Sequence, residues 1–257
     1  MIMANNPDYH QPIVQALSDA SESSFKKYCR IYVGSHSWKN FFHYELRTCF
    51  SLACPGALGI WLRQKLLPPL FQNMGPHPKI GPGFGLRSPN RIQIGHSFVA
   101  DTNVSLDAKG NGSHIDLGND VFLGSGVILS CADASITMGS SVSLGFGCII
   151  RASRGPIQMG SHITAGAHSI IISGNPDYRR SDIPMMEQLG SARGITIGDD
   201  VWMGVGVRVI DGVTIGNGCV IGAGSVVIRD VRDLEMVAGV PAKVMGHRTG
   251  CYRLSEN

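Results

Sequence analysis

The stretch "ITIGDDVWMGVGVRVIDGVTIGNGCVIGAGSVVIRDV", Ile195 to Val231, returns to an apolar residue every six positions: Ile197, Met203, Val209, Ile215, Ile221 and Val227. Glycine follows four of these six. A second apolar residue stands four positions on, at Val201, Val207, Val213 and Cys219. This spacing fits neither an alternating strand nor a long amphipathic helix. It fits a short strand, a sharp turn and another short strand, with glycine giving either unusual backbone angles or close approach at the corner.

The same rhythm extends toward the N-terminus. Markers at Ile94, Ala100, Leu117, Leu123, Met138, Leu144, Met159 and Ala165 keep the six-residue step in pairs. After Leu106, Leu129, Ile150 and Ile171 the next marker comes 11, 9, 9 and 26 residues later. Each break follows the third side of a coil, so the extra residues emerge along one edge of a three-sided solenoid. Stacked coils bury a continuous core that no single coil could bury alone. The largest excursion, "SGNPDYRRSDIPMMEQLGSARG" from Ser173 to Gly194, is long for a structureless connection in a compact fold and marks a functional edge.

Composition narrows the function classes. The 257-residue chain is 43% hydrophobic and only 16% charged, with 33 glycines. That favours short strands and tight turns. The net charge is +3 with no basic block, which gives nucleic-acid binding little support. The seven cysteines are scattered without a C-x-x-C pair. They read as free thiols in a reducing compartment, and the expected location is cytoplasmic. Met1 to Ser24 is polar and contains acids, unlike a signal peptide. Cys49 to Leu62 is uncharged but too short to span a bilayer. It touches a membrane surface or, the favoured expectation, packs onto its own domain. The expected divisions are an arm and helical cap over 1–78, an all-β solenoid over 79–244 with the loop 173–194 inserted, and a tail over 245–257. Phe25 to Met74 is helical in character and covers the first coil, whose edge would otherwise lie open.

With these motifs in view, the segment Ile195–Val231 together with "VAGVPAKV" (Val237–Val244) resembles the hexapeptide-repeat acyltransferases. The nearest are galactoside, maltose and polysaccharide O-acetyltransferases. The resemblance implies a left-handed parallel β-helix, against the usual right-handed crossover preference. It also implies a homotrimer with acetyl-CoA as acyl donor in a groove between neighbours, and a small-molecule acceptor. Carried over by motif, Val205 and Ala223 would line the pantetheine arm, with Ile228 and Arg229 toward the nucleotide end. Lys243 would lie near the phosphates and Trp202 near the active site.

Acetyl transfer to a hydroxyl requires a base for the alcohol's proton. The resemblance implies a histidine five residues after Ile171, and this chain has Pro176 there. An asparagine that helps bind the acceptor in the family aligns with Gly145. The remaining candidates for base are His168, on the coil that launches the loop, and Asp177, beside the vacant position. Asn175, Tyr178, Arg179 and Arg180 are candidates for holding the acceptor. His162 and His168 are six residues apart, but His96 and His114 fall on other coils, so no zinc site is expected. The glycine motifs "GPGFG" and "GAGSVV" lack the strand-to-helix setting of a dinucleotide site. The reading is therefore a CoA-dependent acyltransferase, with acetyl transfer to a sugar or small natural product and an atypical base. Its alternatives are a CoA- or ligand-binding homologue without transfer, and different chemistry in the same groove.

Overall fold

A computed structural model describes residues 23–110, 112–175, 177–185, 188, 190 and 192–248. Seven full coils wind from Asn73 to Val227 as a left-handed parallel β-helix with three flat sides. The fifth coil shows the plan: Ile157–Met159 on side A, Thr164–Ala165 on side B, Ile170–Ile172 on side C. Sides A and C hold seven strands each and side B nine.

The register explains the six-residue step. Ala100, Leu123, Leu144, Ala165, Met203 and Ile221 stack one above another on side B. All six are buried. Leu106, Leu129, Ile150, Ile171, Val209 and Val227 do the same on side C. Fully burying each Leu or Ile contributes about 1.5–3 kcal/mol, so stacking rather than any one coil supplies the stability.

The structure separates the two uses of glycine. A Cβ on Gly166 would lie 2.5 Å from the backbone nitrogen of Val205 in the next coil. Glycine after the marker is thus a close-approach residue. The left-handed turn comes two positions later, where φ is +67° at Gly147 and +59° at His168. The A–B edge carries a polar ladder instead. The side-chain oxygens of Asn119, Ser140, Asn217 and Asp233 accept from the backbone N–H one coil away at 2.8–3.1 Å. Ser161 does the same for Ser140, and Asp199 for Ser161.

Among the described residues the N-terminal segment forms three α-helices: α1 (Ser24–Tyr28), α2 (Trp38–Leu52) and α3 (Gly56–Leu66). They meet the first coil at Leu86 and Ile80. The edge of that coil presents carbonyls, and the cap answers with buried donors. The Arg63 guanidinium donates from Nε to Ile80 O at 2.8 Å and from Nη1 to the carbonyls of Ser51 and Cys54. Tyr44 donates its hydroxyl to Leu86 O at 2.8 Å.

Two boundaries differ from those read in the sequence. The solenoid opens at Asn73–Met74, which pairs with Gln93–Ile94, rather than at 79. This two-residue strand is too short to show a period. At the other end, Lys243–His247 returns antiparallel along Glu235–Ala238 and crosses the 244/245 boundary. Pairing across the sheet, not a repeat, ends the solenoid.

Candidate functional site

Two edges of the prism carry the residues singled out from sequence. The B–C edge turns through one short corner per coil. Residues at the same place in successive corners are Thr102, Ser125, Phe146, Ala167, Val205 and Ala223. His168 follows Ala167 and is exposed. Its ring meets Phe146 edge-on, with centroids 4.7 Å apart, and its backbone N–H donates to Phe146 O at 2.9 Å. The next coil is tied down by Gly206 N–H to Ala167 O at 2.8 Å, and the one after by Gly224 N–H to Val205 O at 2.8 Å. Adjacent strands lie roughly 4.8 Å apart, so Val205 and Ala223 stand one and two steps above His168. Both are exposed.

Lys243 belongs to the top of the same edge. It pairs with Ala238, which follows Val237, and Val237 O accepts from Gly222 N–H at 2.8 Å. Trp202 lies on the outer face of side B, in register with Thr164 and Val220, and is half exposed. The edge thus runs from an aromatic–imidazole pair through small apolar corners to an exposed ammonium. It can present a base at one end and a cation for phosphate at the other.

The long loop leaves from the C–A edge. Ser173 is fully buried and donates its hydroxyl to Gly155 O at 2.5 Å. The return is pinned by the Asp211 carboxylate, which accepts from Arg193 N–H at 3.0 Å and Gly194 N–H at 2.9 Å. Within the loop, Asp177 Oδ1 accepts from Arg179 N–H at 3.0 Å, a local Asx turn. Arg180 forms a two-pronged pair with Asp182, whose carboxyl is held below the ordinary range by that guanidinium. Gln188 is buried and braces the loop, accepting from Arg180 N–H at 3.0 Å and donating to Ile183 O at 3.2 Å. Asn175, Tyr178 and Arg179 are exposed. Pro176 lies outside the described residues.

The two alternative candidates for the base lie apart in the fold. His168 precedes the strand Ile170–Ile172 and Asp177 follows it, so the two candidate bases occupy different edges of one protomer. A side of about five extended residues separates them by roughly 15 Å. They cannot serve one reacting atom within a single chain. Arg180, a candidate for holding the acceptor, is paired with Asp182. Ile228 and Arg229 are exposed at the C–A corner of the seventh coil, away from Val205 and Ala223. Phe146 was missed; its signal was a bulky ring between two glycines, in a column otherwise of small or β-branched residues. No group of three or more potential metal ligands occurs among the described residues.

Comparisons with known proteins agree with this architecture. Residues 194–229 match the model "Bacterial transferase hexapeptide (six repeats)". A putative acetyltransferase of Saccharomyces cerevisiae is 52% identical over 60 residues, 23% of this chain and 31% of its own. Galactoside O-acetyltransferase of Escherichia coli is 51% identical over 51 residues, 20% of this chain and 25% of its own. The matched region therefore spans about a quarter to a third of these relatives. Among solved structures, the N-acyltransferase AntD from Bacillus cereus, in complex with dTDP and 3-hydroxybutyryl-CoA, superposes with a TM-score of 0.51. It is 20% identical, over 70% of this chain and 84% of AntD, a likeness of fold. The chain thus matches a hexapeptide-repeat model over residues 194–229, and the same six-residue spacing and stacked register continue through the other coils of the solenoid.

Proposed function

We propose that the chain is a CoA-dependent acyltransferase that moves an acetyl group to a hydroxyl of a sugar or small natural product. One observation carries the reading: His168, Val205, Ala223 and Lys243 follow one another up a single edge. That order suits a thioester carrier with its reacting end at the imidazole, its pantetheine arm over small corners and its phosphates at the ammonium. His168, rather than Asp177, is the base in this reading. It takes the acceptor's proton as the hydroxyl attacks the thioester carbonyl, and the thiolate of CoA leaves and is protonated.

A homotrimer fits the same geometry. The outer face of side A is polar throughout, with Gln93, Asp116, Thr137, Gln158, Thr196 and Thr214 in register. The outer face of side C stacks Ile128, Ile149 and Ile170. A closed three-fold ring buries such a face and sets one protomer's B–C edge against another edge of its neighbour. The loop at the C–A edge then roofs the neighbour's groove, where Asn175, Tyr178 and Arg179 meet the acceptor. Ile228 and Arg229, also on that edge, reach the nucleotide end from across the interface. The six described cysteines are free, in keeping with a cytoplasmic setting.

Thiol release from acetyl-CoA over a panel of sugars and alcohols tests the activity. His168→Ala lowers kcat by about 10²–10⁴-fold, the usual worth of a general base, while Asp177→Asn retains most of it. The reverse pattern moves the base to the loop. CoA binding without turnover on any acceptor favours a ligand-binding homologue instead.

A further inference from the structure

We infer that the helical cap is a membrane-docking face, and that its occupant is an anionic phospholipid bilayer. The cap is inside out for a helix pair in water. On α2 the buried residues are Tyr44, Thr48 and Ser51. On α3 they are Gly59 and Arg63. Tyr44 and Arg63 reach carbonyls of the first coil at Leu86 and Ile80, while Thr48 and Ser51 donate back to Tyr44 O and Arg47 O of their own helix. These bonds do not account for what the other side shows. Trp38, Phe42, Leu46 and Phe50, four residues apart along α2, are each more than 60% exposed. On α3, Leu58, Ile60 and Trp61 are 45–61% exposed. α3 packs on the first coil, where Arg63 meets Ile80 O, α2 reaches it through Tyr44, and Arg47 Nη1 joins the two helices through Leu66 O at 3.0 Å. Their apolar sides therefore form one slab facing away from the solenoid. The sequence-based expectation that Cys49–Leu62 packs onto its own domain holds for one side of the hairpin only.

Charge selects the occupant. Between residues 23 and 66 there are seven Lys and Arg against one acid, Glu45, while the rest of the chain has fifteen against eighteen. A second cap laid against this one would set like charge on like charge. A bilayer with anionic headgroups matches both parts, rings toward the acyl boundary and ammonium groups such as Lys39 and Lys65 at the headgroups. Tryptophan favours that boundary. At 15 residues α2 is about 22 Å long, short of the roughly 30 Å hydrocarbon core, and no described helix is long and apolar enough to cross a membrane. The cap therefore lies in the interface. This inference stands apart from the acyl-transfer reading.

Co-sedimentation of the full chain with phosphatidylcholine vesicles, with and without 30% phosphatidylglycerol, tests it. The chain binds the anionic vesicles, more weakly at high salt, and Cys49 on the outer side of α2 becomes protected from maleimide. Phe42→Ser with Phe50→Ser lowers the bound fraction at least tenfold. Lys39→Glu with Lys65→Glu lowers it on anionic vesicles and leaves the rings in place. Melting by circular dichroism checks that each variant is folded. Failure of the parent chain to bind either vesicle overturns the proposal. So does a folded serine variant that binds undiminished. A change in the sedimentation coefficient of the free protein on Phe42→Ser, with no vesicle binding by the parent, assigns the slab to a contact between copies instead.

Discussion

Leu123 and Leu144 in the solenoid have no exposed surface, while Phe42 and Leu46 on α2 are each 63% exposed. The chain uses the same kind of side chain in both places and puts it on opposite sides. Between its first and last coils the solenoid pairs every strand above and below, so backbone polarity is satisfied by the next coil and apolar side chains fill the prism. In the cap, the helices meet the unpaired end of that prism and must satisfy its carbonyls. Arg63 and Tyr44 therefore take the inner positions and the rings are left outside. A repeat that neighbours itself can be dry inside; the element that ends the repeat must be polar where it touches it.

Thiol chemistry should show the largest contrast between the two regions. Burial pushes the Cys131 thiol up to about 12 and raises that of Cys148 as well. Three units above the ordinary value mean about a thousandfold less thiolate at neutral pH. Cys49 is exposed on α2. Native alkylation followed by mass spectrometry is expected to label Cys49 within minutes and leave Cys131 and Cys148 untouched until denaturant is added. Fast labelling of Cys148 would mean that the coils open locally.

Truncation comes next. Leu144→Ala leaves a cavity between Leu123 and Ala165 and costs about 2–5 kcal/mol. Phe42→Ser changes stability by no more than about 0.5 kcal/mol because little is buried there. Urea denaturation midpoints of the two variants read this directly, and equal losses would erase the contrast.

A smaller effect lies on the A–B edge. Ser140→Ala removes the acceptor for Asn119 N–H and is expected to cost about 1 kcal/mol, against nearly nothing for Gln158→Ala on the polar outer face. The smallest is electrostatic. The Ser125 hydroxyl and the Thr102 N–H hold the exposed Asp101 carboxyl below its ordinary range. A depressed folded value means that this stabilisation is present above the unfolded pKa. It is lost as pH falls through the lower, folded one. Asp101→Asn should flatten the acid side of the stability profile slightly and leave neutral pH nearly unchanged.

The sequence determined the solenoid because its period is local. Marker, glycine and second apolar residue all lie within six positions, and the repeated spacing brings equivalent apolar positions into register from coil to coil. It also located the edge of the long loop, since insertions in a strict repeat can leave only at a corner. The tertiary structure alone decided which candidates share an edge. His168 and Asp177 are nine residues apart in the chain but sit at opposite ends of one side, whereas His168 and Ala223 are 55 apart and two steps from each other. Wrapping turns a distance along the chain into a height along the prism, and no short-range pattern records that conversion. The cap was opaque for a related reason: helical residues sort into inner and outer by what the first coil presents to them, and those carbonyls exist only once the coil has closed.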